Sequence, residues 1–185
     1  MVGPRGRGSN MKALVEAVHN GTLSADVAVV VAPKDGTDAQ MIADSLGVPT
    51  AVVMPGDRYG DRLMEVLTGC EWLCLAGFLR ILPSEVLEHF PNRVLNIHPS
   101  LLPKFGGKGM YGHHVHEAVI AAGEVESGCT VHIVNEYYDD GAIILQKKCP
   151  VFPDDTPDLL AQRVLALEHQ AFSEALQKVI DERSR

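Results

Sequence analysis

The sequence predicts a doubly wound α/β fold: a mostly parallel sheet with helices on both faces. Three observations lead there. Short β-branched runs recur through the first half of the chain, amphipathic helical patterns separate them, and glycine, proline or asparagine punctuates nearly every junction. Strands that alternate with helices pair in parallel, because each crossover helix returns the chain to the same sheet end.

The strands are "VAVVVA" (27–32), "VPTAVV" (48–53), "WLCLAG" (72–77) and "RVLNI" (93–97). Each is a near-continuous apolar run, the pattern of a strand covered on both faces. The first helix carries Met11, Leu14, Val15 and Val18 at i, i+3, i+4, i+7, with Ser9 or Asn10 as N-cap and Asn20-Gly21 as its stop. A second spans 39–46 and closes at Gly47, a third spans about 60–67, and a fourth, 83–89, opens on Pro83. After a helix near 113–122, "CTVHIV" (129–134) and "AIILQKKCPV" (142–151) lie close enough to pair as neighbours, so the sheet becomes mixed. A long amphipathic helix over about 156–180 ends the pattern.

The anomaly is at the start. A doubly wound fold places a strand before its first glycine loop, yet only "MVGPR" precedes Gly6, and Gly3 and Pro4 disfavour a strand. The expectation is a missing or shortened first strand, or a native beginning upstream of Met1. Without repeats, low-complexity stretches or a linker, residues 1–185 read as a single domain. Its N-terminal half (about 1–95) would bind phosphate, and its C-terminal half (about 96–185) would carry the chemistry.

Bulk properties narrow the function. The chain has 185 residues, is 46% hydrophobic and 22% charged, and has net charge −8. Acidity argues against nucleic acid as a partner, because phosphate backbones demand clustered Lys and Arg. No stretch approaches the roughly 18 apolar residues of a membrane span, and the start has no signal-peptide core. Cys70, Cys74, Cys129 and Cys149 lie in apolar runs and read as small hydrophobes in a reducing compartment, which implies a cytoplasmic protein.

Several residues can carry chemistry. In "GRGSN" (6–10) the glycines admit an anion to a helix N-terminus, although an N-capped loop reads the same way. Asn96 and His98 are two apart on a strand and share a face, while Leu95 and Ile97 point to the core. At the carboxyl edge of a parallel strand that face borders the ligand crevice, where an amide and an imidazole can hold an oxyanion or move a proton. The bland alternative is a pair satisfied by loop carbonyls. "YYDDG" offers Asp139 or Asp140 to orient an imidazole, in a place where a turn wants Asp anyway. His132 is a core histidine or a second-shell partner behind the site, as is its neighbour Thr130. The "GHHVH" run (112–116) lacks the companions of a metal site, so no metal is expected. Glu168, His169, Arg163 and Asp158 read as a solvated helix face.

Taken in order, "GRGSN", "AGFLRIL", "LNIHPSLLP", "YYDDGAIILQ" and "LEHQ" resemble the phosphoribosylglycinamide formyltransferase family across nearly the whole chain. The resemblance implies a Rossmann-type, formyltransferase-like fold and transfer of the formyl group of 10-formyltetrahydrofolate to the amine of 5'-phosphoribosylglycinamide, in purine biosynthesis. It implies that Asn96, His98 and Asp139 are catalytic, Asp139 being chosen over Asp140 by the D-x-G register. Gly6, Arg7, Gly8, Ser9, Asn10 and Glu168 would bind the ribonucleotide. Phe78, Arg80, Ile81, Leu82, Asn96, Asn135, Tyr138 and Asp139 would bind the folate. Asp139 would keep His98 oriented and cationic. The partners are small molecules, and the protein would be a monomer or homodimer. The alternatives are a formyltetrahydrofolate hydrolase, another folate-dependent formyltransferase, or a catalytically impaired nucleotide- or folate-binding module.

Overall fold

The computed structural model describes residues 1–3 and 7–183. The chain forms a doubly wound α/β fold of open sheets with helices on both faces, and divides into two compact units, Met1–Leu95 and Asn96–Arg185.

In the first unit, β1 (Val30–Ala32) and β2 (Thr50–Val52) pair in parallel, with Val30 opposite Thr50 and Ala32 opposite Val52. β1 is fully buried, as a central apolar strand should be. β2 is not: it is half-exposed, with Val52 at 41%, so the expectation of burial on both faces fails there. Among the described residues β2 pairs only with β1 and stands at an edge, where no described strand covers the other side of its ladder. β3 (Leu73–Leu75) lies beside the entry to β4 (Val94–His98), the Leu73 N–H donating to the Arg93 carbonyl at 2.9 Å.

The start of the chain does supply a strand position, so that strand is not missing. The Val2 N–H donates to the Val31 carbonyl at 3.0 Å, Val2 bridges Ala76 in parallel, and the Ala76 N–H donates to the Met1 carbonyl at 2.9 Å. Val2 therefore takes a strand position between β1 and β3 and is only 1% exposed.

Four helices complete this unit. α1 (Ser9–His19) buries Met11, Leu14, Val15 and Ala17. Its N-cap is Gly8, not Ser9 or Asn10. Gly8 is left-handed (φ 71°), and a Cβ there would come within 2.9 Å of the Ala39 Cα, so only glycine meets both demands. α2 (Asp38–Ser45) begins with a reciprocal capping box between Thr37 and Gln40. α3 (Tyr59–Val66) and α4 (Ser84–His89) follow, Pro83 serving as the N-cap of α4.

In the second unit, β4 emerges into a loop, and α5 (His113–Ala121) leads to the antiparallel pair β5 (Glu126–Ile133) and β6 (Ile143–Pro150). The register shifts between Val131, opposite Leu145, and His132, opposite Ile143. The extra residue is Ile144 of β6. α6 (Pro157–Arg183) packs on β5, β6 and α5 through Leu160, Val164, Ala171, Phe172, Ala175, Leu176 and Val179. Arg163 on α6 is not simply solvated: its guanidinium donates twice to Asp155, at 2.7 Å each, and lies over the Phe152 ring. Among the described residues no helix is long and apolar enough to cross a membrane.

All four cysteines are free thiols. Cys129 and Cys149 are buried, whereas Cys70 and Cys74 are half-buried and so are less enclosed than the apolar runs around them suggest.

Candidate active site

The site in the second unit is built on the pleat of β4. Leu95 and Ile97 are buried at 0% and 7% exposure, which sends Asn96 and His98 to the opposite face. Past His98 the chain is pinned by a polar network. The Thr130 hydroxyl donates to the Ser100 carbonyl (2.6 Å) and accepts from the Leu102 N–H (3.0 Å) and the Gln146 side-chain amide (2.9 Å). Gln146 also donates to the Leu102 carbonyl (3.0 Å), and the Ser100 hydroxyl donates to the Lys104 carbonyl (2.7 Å). Ser100 and Thr130 are both fully buried, so each bond is made in a medium where an unmade one is costly.

This pinned loop presents two backbone groups. The Phe105 carbonyl accepts a hydrogen bond from His98 Nε2 at 2.8 Å, and the Gly107 N–H donates to Asp139 Oδ2 at 2.9 Å. Asp139 Oδ1 lies 3.5 Å from His98 Nδ1 and 3.6 Å from His132 Nε2. His132 is 2% exposed; its Nδ1 meets the Ile133 carbonyl at 2.9 Å and its Nε2 meets Asn96 Nδ2 at 3.1 Å. Four side chains from β4, β5 and the β5–β6 connection thus converge.

Proton positions follow from these partners. A carbonyl can only accept, so His98 carries its proton on Nε2 and His132 on Nδ1. Burial lowers the His98 pKa from its ordinary value, and the attraction of Asp139 only partly offsets this. Burial thus weighs against the cationic ring expected from the sequence, while Asp139 and the Phe105 carbonyl weigh in its favour. Burial pushes the Asp139 carboxyl up; a His132 or His98 ring that carries a proton toward it, together with the Gly107 N–H, holds the group below its usual range.

Asp139 is the acid that reaches this cluster. Asp140 instead accepts from the Asn135 side-chain amide at 3.3 Å, and Asn135 Oδ1 in turn accepts from the Tyr137 N–H. Tyr138 is exposed. Glu168 lies on α6 and is 8% exposed, not on a solvated face, and its charge helps burial push the Cys129 thiol up to about 12. His113 and His114 lie 3.5 and 3.2 Å from the Glu117 carboxylate, and His113 lies 3.4 Å from that of Asp158, while His116 is buried.

The remaining candidates lie in the first unit. Arg7 is exposed, Gly8 is buried, and Ser9 and Asn10 begin α1; Gly6 falls outside the described residues. Phe78 and Leu82 pack inward, whereas Arg80 and Ile81 face outward. Sequence reasoning missed Phe105, Gly107, Ser100 and Gln146. The first two act through their backbone, where side-chain identity gives no signal beyond the Gly106-Gly107 pair.

Comparison with known proteins places the chain in a family. The model of the formyl transferase family matches residues 3–176. The chloroplastic phosphoribosylglycinamide formyltransferase of Arabidopsis thaliana is 40% identical over 186 residues, covering 96% of this chain and 64% of the relative. The Haemophilus influenzae phosphoribosylglycinamide formyltransferase is 35% identical over 176 residues, covering 90% and 80%. The chain therefore spans less than two thirds of its plant relative and most of its bacterial one. Glycinamide ribonucleotide transformylase 1 of Symbiobacterium toebii superposes with a TM-score of 0.90 at 35% identity, covering 98% of this chain and 87% of that one. A formyltetrahydrofolate deformylase of Pseudomonas syringae shares the fold at 21% identity, with a TM-score of 0.87. With a family match that runs almost from end to end and relatives at this identity, the chain belongs to the formyl transferase family.

Proposed function

We propose that this protein transfers the formyl group of 10-formyltetrahydrofolate to the amine of 5'-phosphoribosylglycinamide in the cytoplasm, yielding the N-formyl product and tetrahydrofolate for purine biosynthesis. The observation that carries this reading is the convergence of Asn96, His98 and Asp139 around one point in the second unit. The names and coverage of the relatives support the choice of substrates, and the four free thiols support a reducing compartment.

The chemistry follows from the groups present. The substrate amine attacks the formyl carbon, a C–N bond forms, and the carbonyl electron pair moves onto oxygen. Asn96 Nδ2 has one proton committed to His132 and one left for that oxyanion. His98 holds its Nε2–H on the Phe105 carbonyl at rest and exchanges that acceptor for the oxyanion, one hydrogen bond for another. The Asp139 carboxylate takes the proton released by the attacking nitrogen, and stabilises His98 whenever that ring is charged. Collapse breaks the bond to the folate N10, which receives the proton.

The start of α1 suits the substrate phosphate. Its first turn carries no acidic residue, so the positive end of the helix stays available near Arg7, Gly8, Ser9 and Asn10, with Gly6 in the same run. We assign the folate contacts to Phe78, Arg80, Ile81, Leu82, Asn135 and Tyr138, Phe78 and Leu82 supplying backbone and packing, and the glycinamide or ribose contact to Glu168.

The test is turnover. With both substrates, tetrahydrofolate and the N-formyl ribonucleotide should appear in equal amounts. Deformylation of the folate without ribonucleotide would assign the protein to hydrolysis instead, and bound folate with no turnover would make it a binding module.

A further inference from the structure

Asn96 can present either end of its amide to the cluster, and only one end can stabilise a negative oxygen. His132 decides which. Its Nδ1–H is spent on the Ile133 carbonyl at 2.9 Å, so the neutral ring offers only a lone pair at Nε2. The amide group facing that lone pair at 3.1 Å must be the NH₂, whose second proton then points to the side where His98 and Asp139 lie. A ring protonated on both nitrogens would set N–H against N–H. Relief would come from turning the amide by half a revolution, which brings its oxygen to the cluster.

We propose that His132 is a positioning residue and a proton-sensitive selector of the Asn96 amide: the neutral, Nδ1-protonated ring keeps the oxyanion donor in place, and a second proton withdraws it. The inference rests on the formyl-transfer reading and adds a role for a side chain that need not touch substrate. The titratable groups facing the ring are His98 on β4 and Asp139 on the β5–β6 connection, whose Oδ1 is 3.6 Å from Nε2. A charged His132 would also draw Asp139 toward itself, away from His98, so the two halves of the site would fail together.

Two features of the fold hold the ring for this task. The pairing with β6 shifts register between Val131 and His132, so the imidazole stands where the ladder is interrupted. Gly141 then closes over the Ile133 carbonyl: a Cβ at that position would overlap the carbonyl oxygen and come within 3.6 Å of His132 Nδ1. The acceptor that fixes the tautomer is therefore itself kept in place by a residue without a side chain.

The experiment has two arms. In the ligand-free protein labelled with ¹⁵N at histidine, spectra across pH 5 to 8.5 read the tautomer directly; the expected result is an Nδ1–H ring at His132 in the neutral form. In steady-state kinetics, His132→Phe should lower kcat by roughly 10- to 100-fold with KM nearly unchanged, somewhat less than outright removal of an oxyanion donor costs. His132→Gln keeps an uncharged acceptor near the position of Nε2. It should stay within about 10-fold of wild type and lose the acid-side inflection of kcat that coincides with protonation of His132 in the spectra. An Nε2–H tautomer, a folded His132→Phe with wild-type kcat, or an unchanged acid inflection in His132→Gln would each overturn the inference. The spectral arm needs no substrate, so a wrong tautomer refutes this role alone, whereas a wild-type protein that transfers no formyl group refutes the reading beneath it.

Discussion

Thr130→Val is nearly isosteric and removes one hydroxyl from the junction that pins the catalytic loop. That hydroxyl is completely buried and makes three hydrogen bonds: to the Ser100 carbonyl at 2.6 Å, from the Leu102 N–H at 3.0 Å, and from Gln146 at 2.9 Å. Gln146 keeps its bond to the Leu102 carbonyl, but the Leu102 N–H loses its Thr130 acceptor. At about 1 kcal/mol for each bond, with the stranded N–H at the upper end, the loss comes to about 3 kcal/mol. For a protein of this size that corresponds to a fall of roughly 6–12 °C in Tm. Urea unfolding followed by circular dichroism measures the first quantity and calorimetry the second. The variant should also lose activity at temperatures where it remains folded, because Ser100, Lys104 and Phe105 form the chain of contacts that ends on His98. A loss below about 0.5 kcal/mol would show that the network is not what holds this loop, and the reasoning would fail.

Asn96→Ala should lower kcat by about 10²–10³ with little change in stability, and Asp139→Asn should fall by orders of magnitude as well; near wild-type rates in both would remove the catalytic assignment. Stability should decline below pH 6.5. Burial lowers the His116 pKa to about 4, with the nearby His113 and His98 adding to the effect, and burial lowers that of His98 in the same direction. The unfolded chain binds protons that the folded one refuses, so stability is lost as pH falls from about 6.5 and levels off below the folded value. For His116 alone the loss is about 2 kcal/mol at pH 5. Unfolding curves at pH 5 and 7.5 measure it, and His116→Asn should flatten the difference. Gly141→Ala should leave folate affinity largely intact and lower kcat by at least 10-fold, since the added methyl must displace the Ile133 carbonyl that holds His132; unchanged kinetics would mean that this carbonyl is free to move.

Elements set by periodicity were legible, because burial imposes the pattern directly. The 3.6-residue repeat in α1 and the apolar run of β4 are of this kind, and strand parity alone put Asn96 and His98 on one face. The D-x-G spacing of the family that the sequence resembles pointed to Asp139, which is the carboxylate beside His98. What stayed hidden depends on groups that sequence patterns do not encode. The Phe105 carbonyl and Gly107 N–H belong to the backbone, and the register shift beside His132 comes from one extra residue in β6. The cap of α1 went to Gly8 because close packing against α2 outweighed the side-chain preference of Ser9 and Asn10. β2 proved half-exposed although its residues are apolar, since edge position is a property of the whole sheet. Glu168 is buried because its place on α6 turns inward, which a charged residue within an amphipathic helix does not announce.

A crystal structure with a folate analogue that mimics the tetrahedral adduct would probe the assignment at its root. The account predicts the analogue's negative oxygen within about 2.7–3.1 Å of Asn96 Nδ2, with the His98 Nε2–H transferred to it from the Phe105 carbonyl. An adduct oxygen bound elsewhere, with Asn96, His98 and Asp139 unchanged and out of reach, would contradict it.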